Sequence, residues 1–234
     1  MRRVVARTAV VLALALVAAC SGAPQAPAPL TQEQAERLAV VRFRNNEAGV
    51  REVAASVTGP DGVLEAELTG WVDFTRQVGY AHVGGTEGTG GLVTWSTTTL
   101  AHRDGAVTAG LPPLPPPEDG WASAALDPAA SPVSLVLGLF LSLTADRPEN
   151  PQLLAQSSAA WLGDEVVDGE DVELFRGPGN AAAPDVLADE RLRYAVASDG
   201  TLVRLDAELG GGRSARLDLG PASPTSLDFL VAGP

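Results

Sequence analysis

The chain has 234 residues, 45% of them hydrophobic, with a net charge of −13, one cysteine and two histidines. That length suits one medium domain able to bury its own core without staples. A lone cysteine excludes an internal disulfide, and the acidity argues against nucleic acid and against docking on anionic headgroups.

The first segment is basic and then greasy. Arg2, Arg3 and Arg7 precede an uncharged stretch from Thr8 to Ala19, TAVVLALALVAA. At about twelve residues it fits the apolar region of a secretory leader and falls short of the roughly twenty that span a bilayer as a helix. It ends on Val17-Ala18-Ala19-Cys20, which resembles the bacterial lipobox. The resemblance implies cleavage before Cys20 and a diacylglycerol on its sulfur. Residues 1–19 are thus expected to be a removed signal peptide, and Cys20 a lipid-attachment site on the extracytoplasmic face of the cell membrane. Losing three arginines and no acid, the processed chain moves from −13 to about −16. Two or three acyl chains hold a protein stably where one does so marginally. Residues 20–30, CSGAPQAPAPL, read as a Pro/Ala-rich tether, and 31–234 as a single domain.

Thr31 with Gln34 has the spacing of a capping box and predicts a helix through about Asn45, with Ala35, Leu38, Val41 and Arg42 along one face. The period then changes to two. Val53, Ala55 and Val57 alternate with Glu52, Ala54 and Ser56, and Gly59-Pro60-Asp61-Gly62 makes a turn. Val63 to Phe74 predicts the partner strand, and Gly79 to Val83 and Leu92 to His102 continue the series. Residues 84–91 read as a glycine-rich loop, and 111–119, LPPLPPPED, as a stiff extended link. Pro132 starts an uncharged apolar helix through about Ala145, buried nearly all round. Asn150-Pro151 starts a second. Asp-Gly recurs at 61, 104, 119, 168 and 199. The last two sit between alternating runs that read as hairpins with type I′ turns. Residues 177–190 read as a loop. Arg213 to Leu219 and Ser226 to Val231 complete the strands.

Catalytic patterns are missing. His82 and His102 fall in strands, no Gly-x-Ser-x-Gly elbow occurs, and Gly84 to Gly91 lacks the dinucleotide-binding spacing. Asp164, Glu165, Asp168, Glu170 and Asp171 fail as a calcium loop: with Asp164 at position one, Val166 and Phe175 occupy ligand positions. An acidic hairpin is the simpler reading. No cofactor, metal or catalytic residue is expected, although dispersed carboxylates leave an extracytoplasmic enzyme as a third alternative.

The order of parts from Glu47 to Leu219 resembles the LppX/LprG-type lipoproteins, which share a fold with the carriers LolA and LolB. The likeness lies in the hairpin VREVAASVTGPDGVLEAELTGWVDF after a short helix, and in a Pro-flanked segment before Trp121-Ala122. It continues in a helix pair leading into Gly163 to Val172, and in strand, Asp-Gly turn and strand from Tyr194 to Leu209. The resemblance implies an α+β fold, mainly antiparallel: a curved half-barrel sheet with short helices covering its concave face. It implies a monomeric carrier of a lipid or glycolipid in a hydrophobic cavity. Leu135, Leu137, Leu139, Phe140, Leu141 and Leu143 are the expected ligand contacts, with plain core packing their competing role. The alternative is an envelope sensor or protein-interaction lipoprotein whose cavity is collapsed.

Overall fold

The computed structural model describes residues 26–85, 90–105, 110–178 and 191–230. The expected leader and Cys20 lie outside the described residues. The N-terminal half supplies β1 (Ala28–Pro29), β2 (Val50–Thr58), β3 (Leu64–Asp73), β4 (Val78–Gly85), β5 (Gly90–Ser96), β6 (Thr99–Asp104) and β7 (Ala122–Ala125). The C-terminal half supplies β8 (Ala160–Val167), β9 (Glu170–Arg176), β10 (Leu192–Ala197), β11 (Leu202–Gly210) and β12 (Arg213–Ala222). They form one antiparallel sheet in the order β1-β8-β9-β10-β11-β12-β2-β3-β4-β5-β6-β7. Two meanders therefore meet where β12 pairs with β2, and the sheet stays unclosed between β1 and β7. Ala28–Pro29, from the end of the Pro/Ala-rich segment, pairs with β8, and Leu30 beside it is buried.

Alternation places one apolar row on each strand toward a common side. Val53, Ala55 and Val57 of β2 stand opposite Leu219, Leu217 and Ala215 of β12, and the row continues through Leu205, Tyr194 and Phe175. In the other direction it runs through Leu68, Ala81 and Val93. All of these belong to one buried cluster together with α3 (Pro132–Ser142). A sheet whose distant strands share one cluster around one helix has to curl about it, so the fold is an α+β half-barrel with helices on its inner face. Gly79 makes room for the curl. Trp95, its partner in register, lies over it so closely that an added Cβ would sit 2.2 Å from the indole.

The helices depart from expectation at one point. The capping box forms as the spacing requires: Thr31 Oγ1 accepts from the Gln34 N–H at 3.2 Å, and Gln34 Oε1 accepts from the Thr31 N–H at 3.0 Å. The helix then breaks at Val40 into α1 (Gln32–Ala39) and α2 (Val41–Ala48). The tight turn at Gly200 packs against Val40 at this point. The break lets α1 lie on α4 (Pro151–Ala155) while α2 reaches β11. Both later helices start as expected, α3 on the Ser131 hydroxyl with Pro132 at its first turn and α4 on the Asn150 amide.

Several strand boundaries differ from the sequence reading. Leu92 to His102 is a hairpin, β5–β6, turned by the Ser96 hydroxyl, which accepts from the Thr98 and Thr99 N–H groups. The expected loop 84–91 is strand at both ends, reaching Gly85 and Gly90. Residues 111–119 bend repeatedly instead of running extended. Of the expected strand Ser226 to Val231, the described part, up to Leu230, is not a strand: β12, which precedes it, already has β11 and β2 on its two edges, and Asp228–Leu230 forms a 3-10 turn. Asp168 and Gly169 both have positive φ, as a type I′ turn needs, whereas at 199–200 only Gly200 does. There Asp199 Oδ1 accepts from the Thr201 N–H at 2.8 Å and closes the turn.

One buried charge ties these parts together. Arg51, 4% exposed, donates to the Asn45 amide oxygen at 2.6 Å, to Gly220 O at 2.7 Å, to Leu219 O at 2.9 Å and to Leu202 O at 3.0 Å. Asn45 in turn donates to Leu143 O at 2.8 Å, at the end of α3. Burial draws the Arg51 guanidinium down to about 10, partly countered by the charges of Asp199 and Glu170. Replacing Arg51 with Lys leaves a single ammonium to serve four acceptors spread over β11, β12 and α2. The expected loss is about 3 kcal/mol of stability in urea melts; an unchanged midpoint would refute the role. For Asp199, the Thr201 hydrogen bonds hold its carboxyl below the usual range. A lowered folded pKa stabilises above the unfolded value and is lost as pH falls through the folded one. Asp199→Ala is expected to cost about 1 kcal/mol at neutral pH. The gap to the parent protein closes as melts are repeated below the ordinary carboxylate range.

Candidate functional site

Helix α3 carries the expected ligand contacts. Leu137 and Phe140 are fully buried, and Leu139, Leu141 and Leu143 nearly so, all within the main core cluster. Leu135 is half-buried and stands apart from them. The gap between α3 and the inner face, bounded by Val133, Val136, Ala55, Val57, Ala66 and Leu68, measures about 10 Å³. That is the space of one water at most. With α3 seated, its leucines act as core.

The two ends of α3 are held differently. Its C-terminal end is tied by polar groups: Asn45 donates to Leu143 O, the Gln77 amide donates to Leu141 O at 3.0 Å, and Asn46 donates to the Thr144 hydroxyl at 3.1 Å. Among the described residues, no hydrogen bond joins the N-terminal half of α3 to the sheet; the Ser131 and Ser134 hydroxyls bond within the helix start. An opening of about 340 Å³ lies there, bordered by Pro128, Ser131, Leu135, Leu209, Gly210 and Arg213. Sheet residues beneath the adjoining turn include Ala55 and Ala66 beside the larger Val57, Leu68 and Val83. The helix is thus hinged at one end by hydrogen bonds and held at the other by apolar contact alone.

A second hollow lies on the opposite, outer face, where sequence reasoning placed nothing. It encloses about 700 Å³. Its floor is the outward row of β4 to β7, from Val78 and Thr94 to Ala101 and Ser123. One wall is the proline segment, Pro115 to Glu118, leading to Trp121; the other is Phe229 and Leu230 of the 3-10 turn. Both walls are pinned to the sheet. Tyr80 donates to Pro113 O at 2.9 Å, Trp121 Nε1 to Pro117 O at 2.7 Å and Arg103 Nε to Asp119 O at 2.8 Å. His82 Nδ1 contacts Gly110 O at 3.1 Å. Phe229 stands edge-on to Tyr80 at 5.8 Å, and Arg76 pairs with Asp228. Burial pushes the Tyr80 phenol up to about 12, opposed by Arg103, so it stays a neutral donor to the proline segment. The clue in the sequence was the run of prolines between strands ending in Trp121; the C-terminal wall left none, because Phe229 and Leu230 read as strand.

In the acidic hairpin, Glu165 joins a chain of ion pairs that crosses to β11 and β12. Glu165 pairs with Arg204 at 2.7 Å, Arg204 with Asp206 at 3.0 Å, and Asp206 with Arg216 at 2.9 Å. Among the described residues, no group of three His, Cys, Asp or Glu side chains is arranged to hold a metal, and no helix is long and apolar enough to cross a membrane. His82 is buried against Gly110 O, and His102 is exposed on β6.

No family model and no curated protein matches the chain. Solved structures similar to it include lipoprotein LppX of Mycobacterium tuberculosis, at 18% identity and a TM-score of 0.47, covering 80% of this chain and 96% of that one. LprF of Mycobacterium bovis is similar at 14% identity and a TM-score of 0.44, covering 87% and 98%. A DUF1329 family protein of Desulfovibrio piger is similar at 13% identity and a TM-score of 0.39, covering 86% and 97%.

Substitutions along α3 separate entrance from core. Phe140→Ala is expected to cost about 3 to 5 kcal/mol in denaturant melts, as a fully buried ring does. Leu135→Ala is expected to cost under about 1.5 kcal/mol, because the site is already half open. Equal losses at the two positions would contradict the two-ended description of the helix.

Proposed function

We propose that this chain is an extracytoplasmic lipoprotein, anchored by a diacylglyceryl group on Cys20, that binds an amphiphile on the inner face of its sheet. The observation that carries the reading is the uneven seating of α3. The helix has no charged residue, is hinged by Asn45 and Gln77 at one end, and borders an opening of about 340 Å³ at the other. Lifting its N-terminal half exposes Val133, Leu135, Val136 and Leu139 on one side and Ala55, Val57, Ala66 and Leu68 of β2 and β3 on the other. An acyl chain fits between surfaces of that kind. A sixteen-carbon chain contributes roughly 10 kcal/mol gross when buried, and ordering and the displaced helix contacts offset a large part. Leu135 guards the entrance in this reading. Leu137 and Leu139 exchange helix-to-sheet contacts for contacts with the ligand, and Phe140, Leu141 and Leu143, nearer the tied end, close the inner end of the space it enters.

The gap of about 10 Å³ beneath the seated helix favours a second reading, a sensor or protein-interaction lipoprotein whose core is filled. Protein purified from membranes and denatured in a mass spectrometer separates the two. The first reading expects a copurified amphiphile, or uptake of an added long-chain fatty alcohol that Leu135→Arg prevents while the melt is unchanged. Clean protein that takes up no alcohol sinks it and leaves the second. The anchor is tested separately: Cys20→Ser is expected to move the protein from the membrane fraction to the soluble one, and continued sedimentation with membranes would reject it.

A further inference from the structure

We propose that the hollow on the outer face is a second binding site, independent of the first, and that it takes the pyranose ring of a neutral sugar. A volume of about 700 Å³ is in the range of small-molecule sites. The chemistry of its surfaces narrows the class. Thr94, Ser96, Thr99 and Ser123 set four hydroxyls along the outward face of three neighbouring strands. Ser96 is partly engaged in the β5–β6 turn, while Thr94 and Ser123 make no side-chain bond among the described residues. Each hydroxyl both donates and accepts, as the hydroxyls of a sugar do.

The walls complement that row. The Trp121 indole has its only donor satisfied by Pro117 O, so its remaining surface is carbon. With Phe229 and the proline rings it supplies flat apolar faces for the C–H face of a pyranose. Glu118 on the rim adds a carboxylate acceptor.

Other small ligands fit this lining less well. None of the lining residues is basic, so nothing neutralises a phosphate or carboxylate. A hydrocarbon chain would strip water from four hydroxyls and return no hydrogen bond. An organic cation would use the aromatic faces and Glu118 but leave the hydroxyl row idle. A sugar ring uses both.

Saturation-transfer NMR on the whole folded chain tests this, with methyl β-D-glucopyranoside, choline and octanol as probes. The expected result is saturation of the glucopyranoside ring protons by the parent protein. Affinity falls about fivefold in each of Thr99→Val and Ser123→Val, the size of one neutral hydrogen bond, and saturation is lost in Trp121→Ala. Thr99 and Ser123 are exposed, so their variants keep the fold. Trp121→Phe, which keeps an aromatic wall without the Pro117 bond, is expected to retain binding. No transfer to the glucopyranoside, affinity unchanged in both valine variants, or its displacement by choline or octanol would each overturn the proposal. Leu135→Arg is expected to leave the glucopyranoside signal intact, which keeps this site distinct from the one under α3.

Discussion

The structure depends on a guanidinium with no carboxylate beside it. Arg51 sits where the first long strand of one meander meets the last strand of the other, and every group it bonds is a carbonyl or amide oxygen. Those oxygens come from β11, β12 and α2, and through Asn45 the chain of bonds reaches the end of α3. Burying a charge is costly unless all its donors are satisfied. The site therefore tolerates few rearrangements: β2, β12 and the helices must arrive together, or the charge is left bare. The seam that joins residues 50–58 to 213–222 is also the pairing with the greatest separation along the chain, so its fixation by a directional group supplies what apolar contact alone does not.

That anchorage explains the asymmetry of the inner face. Around Arg51 the helices are held by hydrogen bonds to named atoms; away from it, toward Pro132, they are held by area alone. Apolar contact is non-directional and can be exchanged for another apolar surface at little net cost, whereas the Asn45 and Gln77 bonds have no substitute in a hydrocarbon. The outer face is covered differently. Its covering segments pack Trp121, Leu227, Phe229 and Leu230 against it, but their backbone carbonyls at 110, 113, 117 and 119 are also each met by a side chain from the sheet or from the segment itself. The inner face is closed by apolar contact, and the outer face by apolar contact with polar ties added; of the two openings described, the larger is on the outer face.

Much of this was legible in the chain. The period-two runs, the Thr31 and Asn150 caps and the uncharged stretch after Pro132 each have one dominant local cause, and each appears where that cause acts. What failed to show were features set by neighbours distant in sequence. Leu92 to His102 contains no glycine or proline to announce a hairpin, and its turn relies on one serine hydroxyl. The break at Val40 lies against a turn 160 residues later. Phe229 has the pattern of a strand, but it packs its ring on the outer face against Tyr80 instead of joining a ladder. For α3, the sequence marked the residues as apolar and could not say whether they face a ligand or each other. The role of Arg51 left no trace at all, since a lone arginine amid an alternating run reads as surface.

The position of β1 has a geometric result. The chain joins the sheet at one lateral edge, beside β8, while the outer hollow lies against the strands at the other. With adjacent strands about 4.8 Å apart, an arc of roughly 50 Å separates β1 from β7. A protein pinned by residues ahead of Ala28 would hold the rim with β8 nearest the pin and turn the Trp121 rim outward. The outer edge of β7, four small exposed residues, is then the sheet's other free edge, eleven strand spacings along the arc from β1.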